Sequence, residues 1–176
     1  MDNVVRGANW FFDVLNTWRV LDEVQLPEIN FNTEAFSPSG HMMEVTWPED
    51  LAGLEGTIKL KTDDPQVRGL CGRQPGNYIT STYYENLVSF RNGETKGRVI
   101  ILKGLVNTVR ADARKGLKAS GTEYVFNSIV LYHDLYDGRS IHKFDFFAGP
   151  AETIINGERP FAQMATNLSI GGGTVL

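Results

Sequence analysis

Hydrophobic and polar positions alternate with a period of two over much of the chain, which predicts a protein built mainly of strands. From Val24 to Phe36 (VQLPEINFNTEAF), Ile29 and Phe31 fall on one face while Glu28, Asn30, Asn32 and Glu34 fall on the other, as in a half-buried strand. Pro27 has no N–H to donate and belongs near the start of that strand or at an irregularity. Leu54 to Thr62 repeats the pattern, with Ile58 and Leu60 opposed to Thr57, Lys59 and Lys61. At Asp63 to Gly72 the character changes. An aspartate cap and Pro65 in the first turn start a helix of about two turns, which Gly72 can end.

Beyond Tyr78 come β-rich runs separated by turn signals. Tyr78 to Phe90 is dense in Thr, Tyr and Val, and Asn92-Gly93 is a hairpin signal before Arg98 to Asp112 returns. Glu123 to Asp137 is long, aromatic and β-branched, and Asp137-Gly138 turns it into Arg139 to Phe147. The strands after residue 97 therefore form a meander. Between them, Arg110 to Thr122 (RADARKGLKASGT) is polar and predicts a projecting hairpin tip. Two segments keep alternatives open. Trp10, Val14, Trp18 and Leu21 have helical spacing, yet Asn16-Thr17 could equally be the tip of a hairpin between Trp10–Leu15 and Trp18–Glu23. Ser37 to Gly53 is too long, and too apolar at Met42, Met43 and Trp47, for an idle loop. It either folds back over its own core or makes a contact that becomes buried on assembly.

Composition narrows the class. The 176 residues are enough for one domain, taken as 1–176, and 41% hydrophobic content supports one core. A formal net charge of −4, from 17 basic and 21 acidic side chains, excludes a strongly basic nucleic-acid reader, and the composition excludes disorder and collagen. No apolar run is long enough to span a bilayer, and the N-terminus shows no secretion signal. One cysteine, Cys71, forms no intramolecular disulfide, and with three scattered histidines it makes no zinc spacing. The expectation is a soluble protein of a reducing compartment, without metal or cofactor.

Chemistry of the catalytic kind is hard to find. There is no Gly-x-Ser-x-Gly elbow, phosphate loop or His-Glu-x-x-His motif. His133 and His142 sit in strand patterns and are expected to be ordinary sheet residues rather than an acid–base pair. Asp63 and Asp64 are expected at a helix cap, and Cys71 as a small core residue. Gly171-Gly172-Gly173 has no following helix and predicts a flexible tail, 171–176. The cluster Arg110, Arg114, Lys115 and Lys118 is expected as a solvated tip or a salt-bridging subunit contact rather than a phosphate site. The expectation is that the protein is not an enzyme.

The positive signals concern assembly, because long strands with a polar face leave edges that invite a partner. Several local marks follow one another: Val24-Gln25-Leu26-Pro27-Glu28-Ile29 after an opening hairpin, Glu34-x-Phe36 then Gly40-His41-Met42, and a strand-to-helix step at Leu54–Gly72. Further along come Leu102-Lys103-Gly104-Leu105, Lys115-Gly116 with Lys118-x-x-Gly121, Tyr132 to Gly138, and Ile155-Asn156-Gly157. In this order and spacing, from about Trp10 to Ile170, the chain resembles the major tail tube protein of contractile-tailed bacteriophages, a family shared with the tubes of R-type phage-tail bacteriocins.

The resemblance implies a mainly β, sandwich-like or barrel-like subunit with one short helix, whose inner strands join into hexameric rings stacked as a hollow tube inside a contractile sheath. By position the inner strands would be Val24–Phe36, Leu54–Thr62, Arg98–Asp112 and Glu123–Asp137. Lumen-facing residues would be Glu28, Asn30, Asn32, Glu34, Thr57, Lys59 and Lys61, with Glu28 or Glu34 offsetting the two lysines; the lumen side of Glu123–Asp137 is left unassigned. The loop 37–53 would reach the neighbouring ring through His41, Met42, Met43 and Trp47, and the 110–122 hairpin through Arg114, Lys115 and Lys118. Implied partners are further copies of the chain, the tail sheath protein, and the tape measure, baseplate and tail terminator proteins, with DNA in transit unbound. The implied location is the virion tail, with assembly in the host cytoplasm. Competing readings are the tube of an R-type bacteriocin or type VI secretion-like system, and a monomeric β-sandwich carbohydrate-binding module.

Overall fold

The computed structural model describes residues 2–170. The strands are β1 (Asn3–Phe12), β2 (Leu15–Asn16), β3 (Leu21–Gln25), β4 (Phe31–Phe36), β5 (Val45–Leu51), β6 (Gly56–Leu60), β7 (Ile79–Ser89), β8 (Thr95–Ala111), β9 (Thr122–Tyr136), β10 (Arg139–Asp145) and β11 (Ile154–Ile155). Two short helices, α1 (Pro65–Arg68) and α2 (Ala162–Asn167), and a 3-10 turn at Pro150–Glu152 complete the described chain. The protein is mainly β, as the alternation predicts. The last six residues, where a flexible tail is expected, lie outside the described residues.

Two very long strands organise the molecule. β8 and β9 pair antiparallel, but their register shifts between Lys103 and Leu105 and again between Val106 and Thr108. Ser128 takes a positive φ of 51°, and a Cβ on Gly104 would lie 2.7 Å from the Asn127 carbonyl oxygen. Such bulges bend both strands. The first half of β8 pairs with β7, which pairs with β1, and the second half of β9 pairs with β10. The other halves belong to a four-strand unit in the order β3, β6, β9, β8.

The core lies between these two parts. Ile58, Leu60, Val106, Tyr124 and Phe126 from the four-strand unit meet Trp10, Phe12, Ile79, Tyr83, Ile100 and Leu102 from the other side. Trp10 is fully buried and packs edge-on against Phe126 at 6.3 Å, while Phe12 meets Tyr124 at 5.8 Å. Burial of such side chains is worth about 1.5–3 kcal/mol each. The ladder is also pinned at the other end of β8. There Arg98 donates to both carboxylate oxygens of Asp134, at 3.0 and 2.7 Å, and that bond holds Arg98 protonated well beyond its usual range.

Several expectations need correcting. Val24–Phe36 is not one strand: the chain leaves β3 at Gln25, passes Pro27, and restarts as β4 in a separate two-stranded sheet with β5. Residues 37–53 are therefore not all loop, since β5 occupies Val45–Leu51. Near the N-terminus the hairpin alternative holds, but its tip is Asp13-Val14, with Phe12 opposite Leu15 and Asp13 at φ 55°. Asn16 and Thr17 serve the next turn, where the Thr17 hydroxyl donates to the Trp10 carbonyl at 2.8 Å. The α1 helix is a single turn that ends at Gly69, and Asp64 caps it by accepting the Gln66 N–H at 2.9 Å.

Candidate self-assembly surfaces

The four-strand unit has one face on the core and one toward solvent. On β6, Ile58 and Leu60 are buried, so Thr57 and Lys59 face outward. Registry carries that face across the unit. Glu23 and Gln25 of β3 lie opposite Lys59 and Thr57, and Glu123 and Val125 of β9 flank them on the other side. Arg110 and Thr108 of β8 continue the row beside Glu123 and Val125. The surface is polar apart from Val125, carries no aromatic ring, and is internally compensated. Lys59 stands between Glu23 and Glu123, with its Nζ 3.6 Å from Asp112, and Arg110 bonds Glu123 at 3.1 Å.

Of the sequence-predicted lumen residues, the structure brings only Thr57 and Lys59 onto this face. Lys61 follows the end of β6. Glu28 and Asn30 lie in the connection after β3, and Asn32 and Glu34 on β4, away from the four strands. Neither Glu28 nor Glu34 offsets Lys59; Asp112 does. Glu23, Glu123 and Arg110 were missed because only the strand registry places β3, β8 and the half of β9 before Ser128 beside Lys59 and Thr57.

Among the described residues, both edges of the unit are unpaired. β3 has a ladder only with β6, and β8 beyond Val106 has a ladder only with β9. At Val106 itself the edge is occupied, since Gly72 donates its N–H to the Val106 carbonyl at 3.2 Å and Cys71 bridges to it, half-buried beside the core. The two free stretches, Leu21–Gln25 and residues 107–111, match in length.

Two projections stand at opposite ends of the unit. The first is the β4–β5 arm, anchored at its base by Phe31 against Phe144 at 6.0 Å. Phe36 stacks on Trp47 at 5.5 Å, while Met42 at the tip is wholly exposed and Met43, Val45 and Trp47 largely so. His41 sits in the tip turn, its N–H bonded to the Pro38 carbonyl. The second is the loop from Asp112 to Gly121, where Lys115 and Lys118 are exposed and Arg114 lies 3.6 Å from Asp63. Arg114, Lys115 and Lys118 thus share one surface, while His41, Met42, Met43 and Trp47 share another.

Elsewhere, an apolar cleft of about 730 Å³ runs along the base of the arm, lined by Phe31, Leu51, Ile129, Tyr132, Phe144 and Phe161 among others. Burial pushes the Tyr132 hydroxyl up to about 12, keeping it neutral. His133 and His142 lie on the paired strands β9 and β10. His133 contacts the Ser140 hydroxyl at 2.6 Å and is held below its usual range by burial and by Lys143, while His142 stacks on Phe144.

A mainly β subunit with a polar face, two free edges and projections at both ends presents the surfaces that a self-assembling structural protein would use. The chain matches the family model described as phage tail tube protein FII over residues 2–168, and it belongs to that family. Its role is that of a structural tail tube protein. Among solved structures it is similar to a chain of an extracellular contractile injection system, the PVC sheath-tube complex in its extended state, with 7% identity, a TM-score of 0.54, and coverage of 69% of this chain and 83% of that one. That likeness concerns the fold. A search among curated proteins gives no match.

Proposed function

We propose that copies of this chain join edge to edge, β8 of one against β3 of the next, into rings that stack as the hollow inner tube of a contractile tail, through which DNA is delivered. The observation that carries this reading is the pair of free edges flanking a polar, aromatic-free face. An antiparallel order of β3, β6, β9 and β8 repeats without interruption when β8 meets β3 of the next copy. In a ring of six, the number the family resemblance implies, four strands per copy close a barrel roughly 48 Å across at the backbone. Subtracting side chains leaves a bore of about 40 Å, wider than a DNA duplex.

The polar face would line that bore. Its cations are matched to carboxylates, Lys59 to Asp112 and Arg110 to Glu123, so they are poor phosphate clamps, and no exposed ring is offered for base stacking. The role is mechanical rather than catalytic. A contractile sheath is the implied outer partner, by analogy with the injection-system neighbour, and the virion tail the implied location.

The test is assembly. Concentrated protein viewed by negative-stain microscopy should show rings and tubes. Replacing Met42, Met43 and Trp47 together with Ser should leave subunits or single rings; normal tubes would remove the arm from the contact. In assembled tails, Glu23→Lys with Glu123→Lys should keep tubes but slow DNA release, and unchanged kinetics would overturn the electrostatic part. A protein that remains near 20 kDa at high concentration would sink the whole reading.

A further inference from the structure

The tripeptide Asn-Gly-Glu occurs twice in the chain, at Asn92–Glu94 and at Asn156–Glu158. Glycine after asparagine leaves its own nitrogen unhindered, so that nitrogen can attack the asparagine side chain. The local covalent chemistry is the same at the two places, and any difference in reactivity comes from the fold.

The fold treats them differently. Between β7 and β8, the Gly93 N–H donates to the Ser89 carbonyl at 2.8 Å, and Asn92 Oδ1 accepts the Glu94 N–H at 3.1 Å. The Glu94 carboxylate also stands 3.5 Å from Asn92 Nδ2. There the nucleophile is engaged, and a negative charge lies beside the amide on which more negative charge would have to develop. After β11 the arrangement is reversed. Gly157 is exposed, and its N–H donates no hydrogen bond among the described residues. Arg139 of β10 packs over the turn and donates through Nη2 to two oxygens of Asn156, the main-chain carbonyl at 3.1 Å and Oδ1 at 3.4 Å. The first oxygen belongs to the same peptide unit as the Gly157 nitrogen, so the guanidinium draws electrons from that unit and acidifies its N–H. The second becomes the oxyanion when Cγ is attacked, where a positioned cationic donor lowers the barrier.

We propose that Asn156 is a site of self-modification, at which the Gly157 nitrogen displaces the side-chain amide with the assistance of Arg139. Solvent hydroxide takes the Gly157 amide proton, and the nitrogen bonds to Cγ. The Cγ–Nδ2 bond breaks as Nδ2 takes a proton from water and leaves as ammonia. Water then opens the five-membered imide at either carbonyl, giving aspartate or an isoaspartate whose main chain runs through the side-chain carbon. One water is consumed and one ammonia released, with no oxidant or reductant. Each modified copy gains one negative charge at the edge of the nine-stranded sheet. In the aspartate form that charge stays beside Arg139. In the isoaspartate form an added backbone methylene falls where the Asn156 N–H meets the Ile141 carbonyl at 2.6 Å, and it loosens the β10–β11 corner.

The experiment incubates the full chain near neutral pH, follows the amide-to-acid mass change at each tripeptide by peptide mass spectrometry, and reads isoaspartate by enzymatic methylation. In the folded protein Asn156 should convert at least about tenfold faster than Asn92, and in denaturant the two rates should converge. Arg139→Gln should slow Asn156 at least about tenfold and leave Asn92 unchanged, while Arg139→Lys, which keeps the charge, should retain more of the rate. Arg139 is exposed, so both variants should unfold thermally like the wild type. The proposal is overturned by any of four results: an Asn92 as fast as Asn156 in the folded protein, an Asn156 rate indifferent to Arg139→Gln, lysine and glutamine variants that behave alike, or a folded Asn156 still intact when the denatured chain is largely converted. Cleavage after Asn156 in place of ammonia loss would overturn it too, since that is the product of attack by the side-chain nitrogen.

Discussion

The edge-pairing reading is open to a substitution that leaves the subunit untouched. Asp112 donates its N–H to the Gly121 carbonyl at 2.9 Å, so by antiparallel alternation Arg110 is bonded to Glu123, while the N–H and carbonyl groups of Val109 and Ala111 point away from β9. The same alternation, set by the Lys61 N–H to Val20 bond, turns the Val24 groups outward on β3. Ala111 is exposed, and proline is tolerated on an edge whose N–H faces solvent. Ala111→Pro should therefore change subunit stability by under about 0.5 kcal/mol. At the joint it deletes one backbone donor worth about 1 kcal/mol. Over about six joints per ring the loss compounds to roughly 6 kcal/mol, or about 10⁴ in the ring assembly constant. Sedimentation velocity across a concentration series reads that constant, and thermal unfolding at low concentration reads the subunit. Arg110→Pro is the control, because it removes a donor used inside the subunit and should lower its melting temperature. Ala111→Pro protein that forms rings at wild-type concentrations would refute the β8-to-β3 joint.

Other expectations concern the subunit itself. Arg98→Ala strands the nearly buried Asp134 carboxylate and should cost about 3 kcal/mol in urea unfolding; a loss below about 1 kcal/mol would mean that water replaces the guanidinium. Gly104→Ala forces a Cβ to within 2.7 Å of backbone oxygen at the bend of β8, so about 1–3 kcal/mol should be lost, read as a melting temperature lower by several degrees. His133 has a lowered pKa in the folded state, chiefly from burial, so the unfolded chain binds its proton first and stability should fall as pH drops through about 6.5, levelling off below the folded pKa. His133→Gln should flatten that part of the pH profile, and an unchanged profile would assign the dependence elsewhere.

Much of the framework could be read from local chemistry. Alternation located β6, β-rich composition between turn signals located β7, β8, β9 and β10, Asp137-Gly138 located a hairpin whose two residues both take positive φ, and Asp64-Pro65 located the cap of α1. Those features are decided within a few residues. What was not legible is decided at a distance. β1 before Trp10 shows weak alternation because Val4 and Val5 stay exposed, and its strand state is fixed by pairing with β7. Helix α2 has no capping side chain and a single buried residue, Ala165, so it carries little local signal. For the assembly surfaces, sequence supplied the arm tip and the basic loop, but the polar face depended on which strands share registry with Lys59, and Glu23 and Glu123 come from positions far apart in the chain.

The misreading of Val24–Phe36 carries a physical point of its own. Polar alternation implies a half-buried strand only if some layer lies beneath it, and β4 has none: after Phe31, every residue to Phe36 is exposed. The pattern arises instead within the arm, where Glu34 lies opposite Trp47 and shares a side with Phe36, so that one side carries both the stacked rings and an acid. An exposed cluster of Phe36, Met42, Met43, Val45 and Trp47 is more contiguous apolar surface than a lone subunit gains anything by presenting. Beyond its base, where Phe31 meets Phe144 and Leu51 packs on the core, the arm buries little in its own subunit, and covering its tip by another copy would repay the cost of ordering it. The same alternation that in β6 records the inside and outside of one subunit therefore marks, in β4, an arm whose outer part its own subunit leaves uncovered.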